Sequence, residues 1–299
     1  SVFAVAGDVD YEVGNIDVPG DVEIGGLVGP GFTIQAGGTI TISGTVENGV
    51  TLQAGGDVLV GQGILGEKTR VFARGNVTTK FIQNSTVVAG TDVLSGSYIF
   101  NGRVRAGAGK VRVEDRGGDR GGSIVGGQVM AGQRVEVYRI GSAETDRTLV
   151  GIAVEPSVAA QVTELRQEHQ KLVGQIAALQ SSLGVTSPND RQQLVRLLTR
   201  TPAEQLDDVE TKLHQLRNWL DEAEGLQTRV DDIQAQSQSL LNQGRIRVLK
   251  DVYSDVQIQF GAHSRQLTQA VAGGCEFFLA DEQVRWRALD ADSATPQQD

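Results

Sequence analysis

The side chains that most often do chemistry are few and scattered in this sequence: three histidines, His169, His214 and His263, and one cysteine, Cys275. None of the histidines has a second ligand at metal-site spacing, and a single thiol cannot form a disulfide within the chain. His169 falls in an apolar period-seven seam, where a polar residue sets register rather than holding an ion.

Acidic residues offer the next candidate. Asp21, Asp57 and Asp92 each precede an aliphatic residue in a repeated pattern, with Thr39 and Asn76 at the intervening positions. Repeat folds that cleave polysaccharides cluster carboxylates on one face, which would make such a ladder catalytic. The mixture of Asp, Asn and Thr matches what turns select for local hydrogen bonding, so the turn reading is preferred.

Ala106-Gly107-Ala108-Gly109-Lys110-Val111 has only the end of a phosphate-loop pattern. Val104 stands where the first glycine belongs, and Val111 stands where a hydroxyl would hold magnesium. Acyltransferases built on six-residue repeats need a histidine base on a coil, and none occurs before Glu155. Neither an enzyme nor a cofactor or metal site is expected.

Arginines remain as candidates for partner binding. Arg116 and Arg120 lie in Glu114-Asp115-Arg116-Gly117-Gly118-Asp119-Arg120-Gly121-Gly122, which is either a partner-contacting loop or a solvated insertion. Arg103, Arg105, Lys110 and Arg112 make its neighbourhood basic. Arg191, Arg196 and Arg200 occupy a second candidate, the connection between two helical seams. Trp219 and Trp286 have interface chemistry, although Trp219 borders a seam and so favours packing. The net charge of -10 is mixed along the chain, and no segment is basic enough to imply nucleic acid.

The elements that position these residues announce themselves by period. Val22, Val28, Ile34, Ile40, Val46, Leu52, Val58 and Ile64 recur every 6 residues, and Val77 rejoins the series one position late. Three hexads make one coil: Gly20-Asp21-Val22, Gly38-Thr39-Ile40, Gly56-Asp57-Val58, Gly75-Asn76-Val77 and Thr91-Asp92-Val93 are spaced by 18, 18, 19 and 16. With 38 glycines and short alternating apolar runs, this predicts a single-stranded parallel β-helix, with Gly and Asn supplying positive φ at its corners. Seven or eight coils to Ser142 would span roughly 35 to 40 Å at the spacing of hydrogen-bonded strands. Slippage in coil length favours a right-handed helix over the left-handed form that strict hexads suit.

From Val158 the period changes. Val158, Val162, Leu165, His169, Leu172, Ile176, Leu179 and Leu183 form a heptad seam, and Leu206, Val209, Leu213, Leu216, Leu220 and Ala223 form another that continues through Val230, Ile233 and Leu240. Two such seams predict an antiparallel coiled-coil hairpin. Its tip is read as Ser187 to Arg200 with a short helix at Arg191 to Leu198, and Thr201-Pro202-Ala203-Glu204 is read as a capping box opening the second arm. Apolar alternation returns at Ile246–Val248, Val256–Phe260 and Cys275–Leu279.

The expected organisation is therefore mainly β with an α insertion. A β-solenoid covers 1–156, a hairpin 157–244, strands completing or capping the solenoid 245–290, and a disordered tail 291–299. No apolar run approaches the 18 to 20 residues, roughly, of a membrane span. The single thiol and the absence of a leader pattern suggest a trimmed piece of a longer cytosolic protein.

Lys80-Phe81-Ile82-Gln83-Asn84-Ser85, Val88-Ala89-Gly90, Ser123-Ile124-Val125-Gly126-Gly127-Gln128 and Ile140-Gly141-Ser142 resemble the flagellar assembly protein A family. So does the run from Thr148 to Pro156 leading into a hairpin, and the likeness extends from about Asn15 to Leu289. The resemblance implies a bacterial cytoplasmic β-solenoid protein, with the flagellated cell pole as one location. It would act through protein partners, flagellar assembly or regulatory proteins among them, as a scaffold or adaptor rather than by catalysis. The hexads also resemble bactofilins, which polymerise end to end, so a homo-oligomer is a second expectation; a carbohydrate-active β-helix is the third.

Overall fold

The computed structural model describes residues 1–115, 122–144 and 147–289. Its contacts divide the chain into two units, Ser1–Glu155 with the chain from Ser239 onward, and Pro156–Gln238.

The first unit is a β-solenoid of about 8 turns. All nine aliphatic residues of the hexad series are wholly buried, Val22 through Ile64 and then Val77. At about 1.5 to 3 kcal/mol for each fully buried aliphatic, this inward column is the main stabilising feature of the rod. Its positions fall on three walls. One is a parallel sheet through Asp21–Ile24, Ile40–Ile42, Val58–Leu65 and Val77–Gln83; a second runs through Ile16–Val18, Thr33–Ala36, Thr51–Ala54 and Arg70–Ala73. The third wall starts as single bridges, Val9 to Val28 to Val46 to Ile64.

The expected spacing is the observed register, with Val22 beside Ile40, Ile40 beside Val58, Val58 beside Val77, and Val77 beside Val93. From Val58–Leu65 onward, strands bend across two walls, with register shifts at Val60/Gly63 and Ser95/Tyr98. Gly63 has no side chain because the Phe81 ring of the next coil occupies that space, and Phe81 in turn stacks on Tyr98 at 5.1 Å between centroids.

The corners correct one expectation. Along the repeated coils, positive φ recurs at the corner that carries Gly31, Gly49, Gly66, Asn84 and Asn101, and not at the repeated Ala-Gly-Gly corner of Gly37, Gly38, Gly55 and Gly56. At the repeated Ala-Gly-Gly corner a Cβ on Gly55 would strike the carbonyl oxygen of Gly37 in the coil before it, so close coil contact selects glycine there.

After Thr148–Ile152 the chain leaves the solenoid and returns as Arg245–Val252, which pairs in parallel with Arg134–Ile140. Val256–Phe260 completes the last parallel coil against Thr148–Ile152. The chain then reverses: His263–Gln266 pairs antiparallel with Val256–Phe260, Cys275–Ala280 with Arg245–Val252, and Gln283–Ala288 with Cys275–Ala280. The strands expected after Gly244 are present, and His263–Gln266 and Gln283–Ala288 are additions to them.

The second unit holds α1 (Pro156–Leu183), α2 (Arg191–Arg200) and most of α3 (Leu206–Gln243). At 1.5 Å per residue α3 is about 57 Å long. Leu165, Leu172, Ile176 and Leu183 of α1 join Val209, Leu213, Leu216, Ala223, Leu226 and Val230 of α3 in one apolar cluster, as the heptad seams require.

Two details differ from expectation. Leu240 is exposed, and Leu241 beside it enters the solenoid core against Gly261. Thr201 does not cap the second arm: it ends α2, where its hydroxyl donates to the Leu197 carbonyl at 2.8 Å. A 3-10 turn, Ala203–Gln205, intervenes before α3; its N-cap position is Pro202, which has no side-chain acceptor to offer.

Candidate functional site

The acid ladder is structural. Asp21 Oδ1 accepts the Thr39 N–H at 2.8 Å, Asp57 Oδ1 that of Asn76 at 2.6 Å, Asn76 Oδ1 that of Asp92 at 3.2 Å and Asp92 Oδ1 that of Lys110 at 2.8 Å. Each side chain satisfies a backbone donor of the following coil at a corner where the strand ladder is interrupted. Asp and Asn serve equally, which explains their interchange along the column.

The corner after Val104 is no phosphate cradle either. Gly107 N–H donates to Ala89 O, Ala108 N–H to Gly90 O and Lys110 N–H to Asp92, so those donors are already engaged. Glu155 Oε1 lies where a Cβ on Gly107 would be.

His169 is half-buried on α1, His214 is exposed on α3 and His263 is half-buried on a strand, and no group of three potential metal ligands occurs among the described residues. Cys275 is wholly buried, and burial first, then the Asp251 carboxylate, pushes its thiol up to about 12. Such a thiol stays protonated and is a poor nucleophile. Trp219 packs at the edge of the hairpin cluster, and Trp286 is partly exposed on the last strand opposite Phe277. The open groove lined by Glu67, Asn84, Ser85, Thr86, Asn101 and Arg103 has one carboxylate, where glycoside hydrolysis uses a pair.

The tip of the hairpin has a defined local structure. Asp190 caps α2, its Oδ1 accepting the Gln192 and Gln193 N–H groups at 2.9 and 3.1 Å. The turn before it is braced where Gln193 Nε2 donates to Thr186 Oγ1 at 2.8 Å and Gln180 Nε2 to the Thr186 carbonyl at 2.8 Å. Leu194 and Leu197 face the apolar cluster.

That leaves Arg191, Arg196 and Arg200 exposed, together with Val195 and Leu198, which retain 57% and 40% of their surface. The helix contains no acidic residue, and none of its arginines is ion-paired among the described residues. α2 therefore brings the three tip arginines onto one short element, with an apolar strip between them. The strip is what the sequence hid: Leu194, Val195, Leu197 and Leu198 are all apolar, and only packing separates the buried pair from the exposed one.

Arg116 and Arg120 lie outside the described residues. Next to them, Glu114 N–H donates to the Ser95 carbonyl at 2.8 Å and Gly122 N–H to the Ser97 carbonyl at 2.6 Å, so both ends of the enlarged coil are tied to the strand of the coil before.

Where the chain leaves and re-enters the solenoid, Arg105 Nη2 donates to the Val154 carbonyl at 2.7 Å, and Gly244 packs directly on Ile152. No helix of the described chain is long and apolar enough to cross a membrane.

No curated protein and no solved structure gives a significant match to this chain. A family model does: that of the Flagellar Assembly Protein A beta solenoid domain matches residues 1–284, almost the whole sequence. With hexad walls, a helical insertion between two solenoid strands and this match in agreement, the chain belongs to the Flagellar Assembly Protein A family.

Proposed function

We propose that this flagellar assembly-related protein is a non-enzymatic adaptor in the bacterial cytoplasm, whose solenoid serves as a scaffold and whose hairpin tip engages a protein partner. The observation that carries this reading is the outward face of α2. An exposed apolar strip flanked by three arginines with no acidic neighbour on the helix has the composition of a contact surface, since arginine is enriched at the centres of interfaces.

The test is made in a flagellated bacterium that depends on this protein. Replacing Arg191, Arg196 and Arg200 together by Glu should abolish flagellum formation, or displace flagella from their normal position. The purified variant should keep the helical and β-sheet circular dichroism of the parent. Normal flagella in the triple variant would sink the assignment of the tip as the working surface.

A further inference from the structure

The solenoid is electrically polar along its length. Before Lys68 the chain contains nine Asp and Glu residues and no Lys or Arg. The polarity is written most clearly along the corner edge of the wall that carries Asp21–Ile24, in the row of residues immediately before the register-matched aliphatics, whose Asp and Asn side chains also accept the backbone donors described above. At the N-terminal end this row reads Asp21, Thr39, Asp57, Asn76 and Asp92. It continues as Lys110, Arg134 and Arg245, three cations in directly paired positions on successive coils.

Stacking like charges in this way costs stability. Arg134 has Glu136 at 3.3 Å and Arg245 donates to the Asn242 and Gly244 carbonyls, but the exposed Lys110 ammonium has no partner among the described residues. The next outward row runs Glu23, Thr41, Leu59, Thr78, Leu94, Arg112, Glu136 and Arg247, acidic at its first coil and of mixed charge over its last three, so the first row carries the polarity. Between the ends this wall carries the exposed Leu59 and the half-buried Thr78.

We propose that this wall is the interface of an antiparallel homodimer. A two-fold axis in the plane of contact, parallel to the strands and between the coils of Asn76 and Asp92, reverses the coil order while keeping each row opposite itself. Asp57 of one copy then faces Lys110 of the other, Thr39 faces Arg134, Asp21 faces Arg245 and Glu23 faces Arg247. Every charged contact occurs twice, and the interface closes on itself, as isologous contacts do.

A second copy is the occupant that fits because, with two walls packed side by side over their full length, the acidic half of one meets the basic half of the other only when one chain is turned end for end. Head-to-tail stacking lacks this match. The last strand pair runs antiparallel, and its cations Arg285 and Arg287 are already paired with Asp281 and Glu276.

Sedimentation velocity of the full chain should give a dimer in about 0.1 M salt that dissociates towards about 1 M, as the screening length falls from about 10 Å to 3 Å. Lys110→Asp should weaken the dimer about tenfold or more, since it replaces two attractive contacts by two repulsive ones. Asp57→Lys combined with Lys110→Asp should restore it.

The Asp57 carboxylate also serves the Asn76 N–H, so a second variant pair avoids it. Thr39→Cys with Arg134→Cys should form an intermolecular disulfide under mild oxidation, and Thr39→Cys alone should not. A monomer at low salt overturns the proposal, as do a dimer indifferent to Lys110→Asp, a species that keeps growing with concentration, or the absence of the cross-link.

Discussion

Ile40 in the solenoid is wholly inaccessible, whereas Ile176 on α1 keeps 6% of its surface although it occupies the centre of its seam. The contrast extends to the neighbours of each. Leu52, Val58 and Ile64 are sealed completely, while Leu165, Leu172 and Leu183 each retain a few per cent. A solenoid coil surrounds its inward side chains with three walls and with the coils above and below. A pair of helices covers a seam from one direction and leaves its flanks to solvent. Local folding signals are therefore backed by different amounts of burial, and the contact surface proposed for the tip lies where burial is weakest, on α2.

The contrast can be broken most directly by truncation. Ile40→Ala should lower the stability of the solenoid by about 4 kcal/mol, near the upper part of the range for cavities in tight cores, and Ile176→Ala should cost the hairpin about 2 kcal/mol. Denaturant unfolding followed separately by β-sheet and helix circular dichroism would measure both. Equal losses would mean that the walls add nothing beyond ordinary helix packing.

Smaller effects are expected from the two kinds of aspartate cap. Asp92→Ala removes the acceptor for the Lys110 N–H and should cost the solenoid about 1.5 kcal/mol, with Asp92→Asn recovering most of it. Asp190→Ala removes the cap of α2 and should cost about 1 kcal/mol, read as lost helicity with the solenoid melting unchanged. A shift of the β-sheet transition on Asp190→Ala would contradict the division into separately stabilised units.

The mildest test uses Cys275. Its thiol is raised from 9.0 to about 12 in the folded protein, so the folded state holds the proton that an unfolded chain releases. Its contribution to stability is complete below pH 9 and is lost as the pH rises from there towards 12. The thiol should resist a disulfide reagent at pH 8 until denaturant exposes it; immediate modification of the native protein would show that the last coil opens readily.

Much of this was legible before any coordinates, for reasons that can be located. The series from Val22 to Val77 is legible because each coil must place an aliphatic on the same wall, so sequence period and spatial period coincide. The helical seams are legible for the same reason with a different period. The final reversal was not, because its turn uses Asp281 and Glu282 at φ 50° and 59°, a left-handed pair for which the usual signal is Asn-Gly. The end of α2 was misread because threonine, proline and glutamate satisfy a capping pattern on paper, while the Thr201 hydroxyl is bonded to the helix behind it. Of the five arginines proposed for partner binding, Arg191, Arg196 and Arg200 are placed on α2, and Arg116 and Arg120 lie outside the described residues.

The amino-acid sequence by itself determined the coil, its register over the first five turns, the helical insertion and the family, since all of these are written as periodic burial that must be satisfied locally. Tertiary structure decided which glycines serve close approach rather than φ, how the last strands turn back, and which half of an apolar decapeptide remains in solvent. It also aligned residues as distant as Asp57 and Arg245 in one row on one wall. That alignment depends on how many residues each coil spends between strands, including a whole helical hairpin in the last one, and no local pattern records the sum.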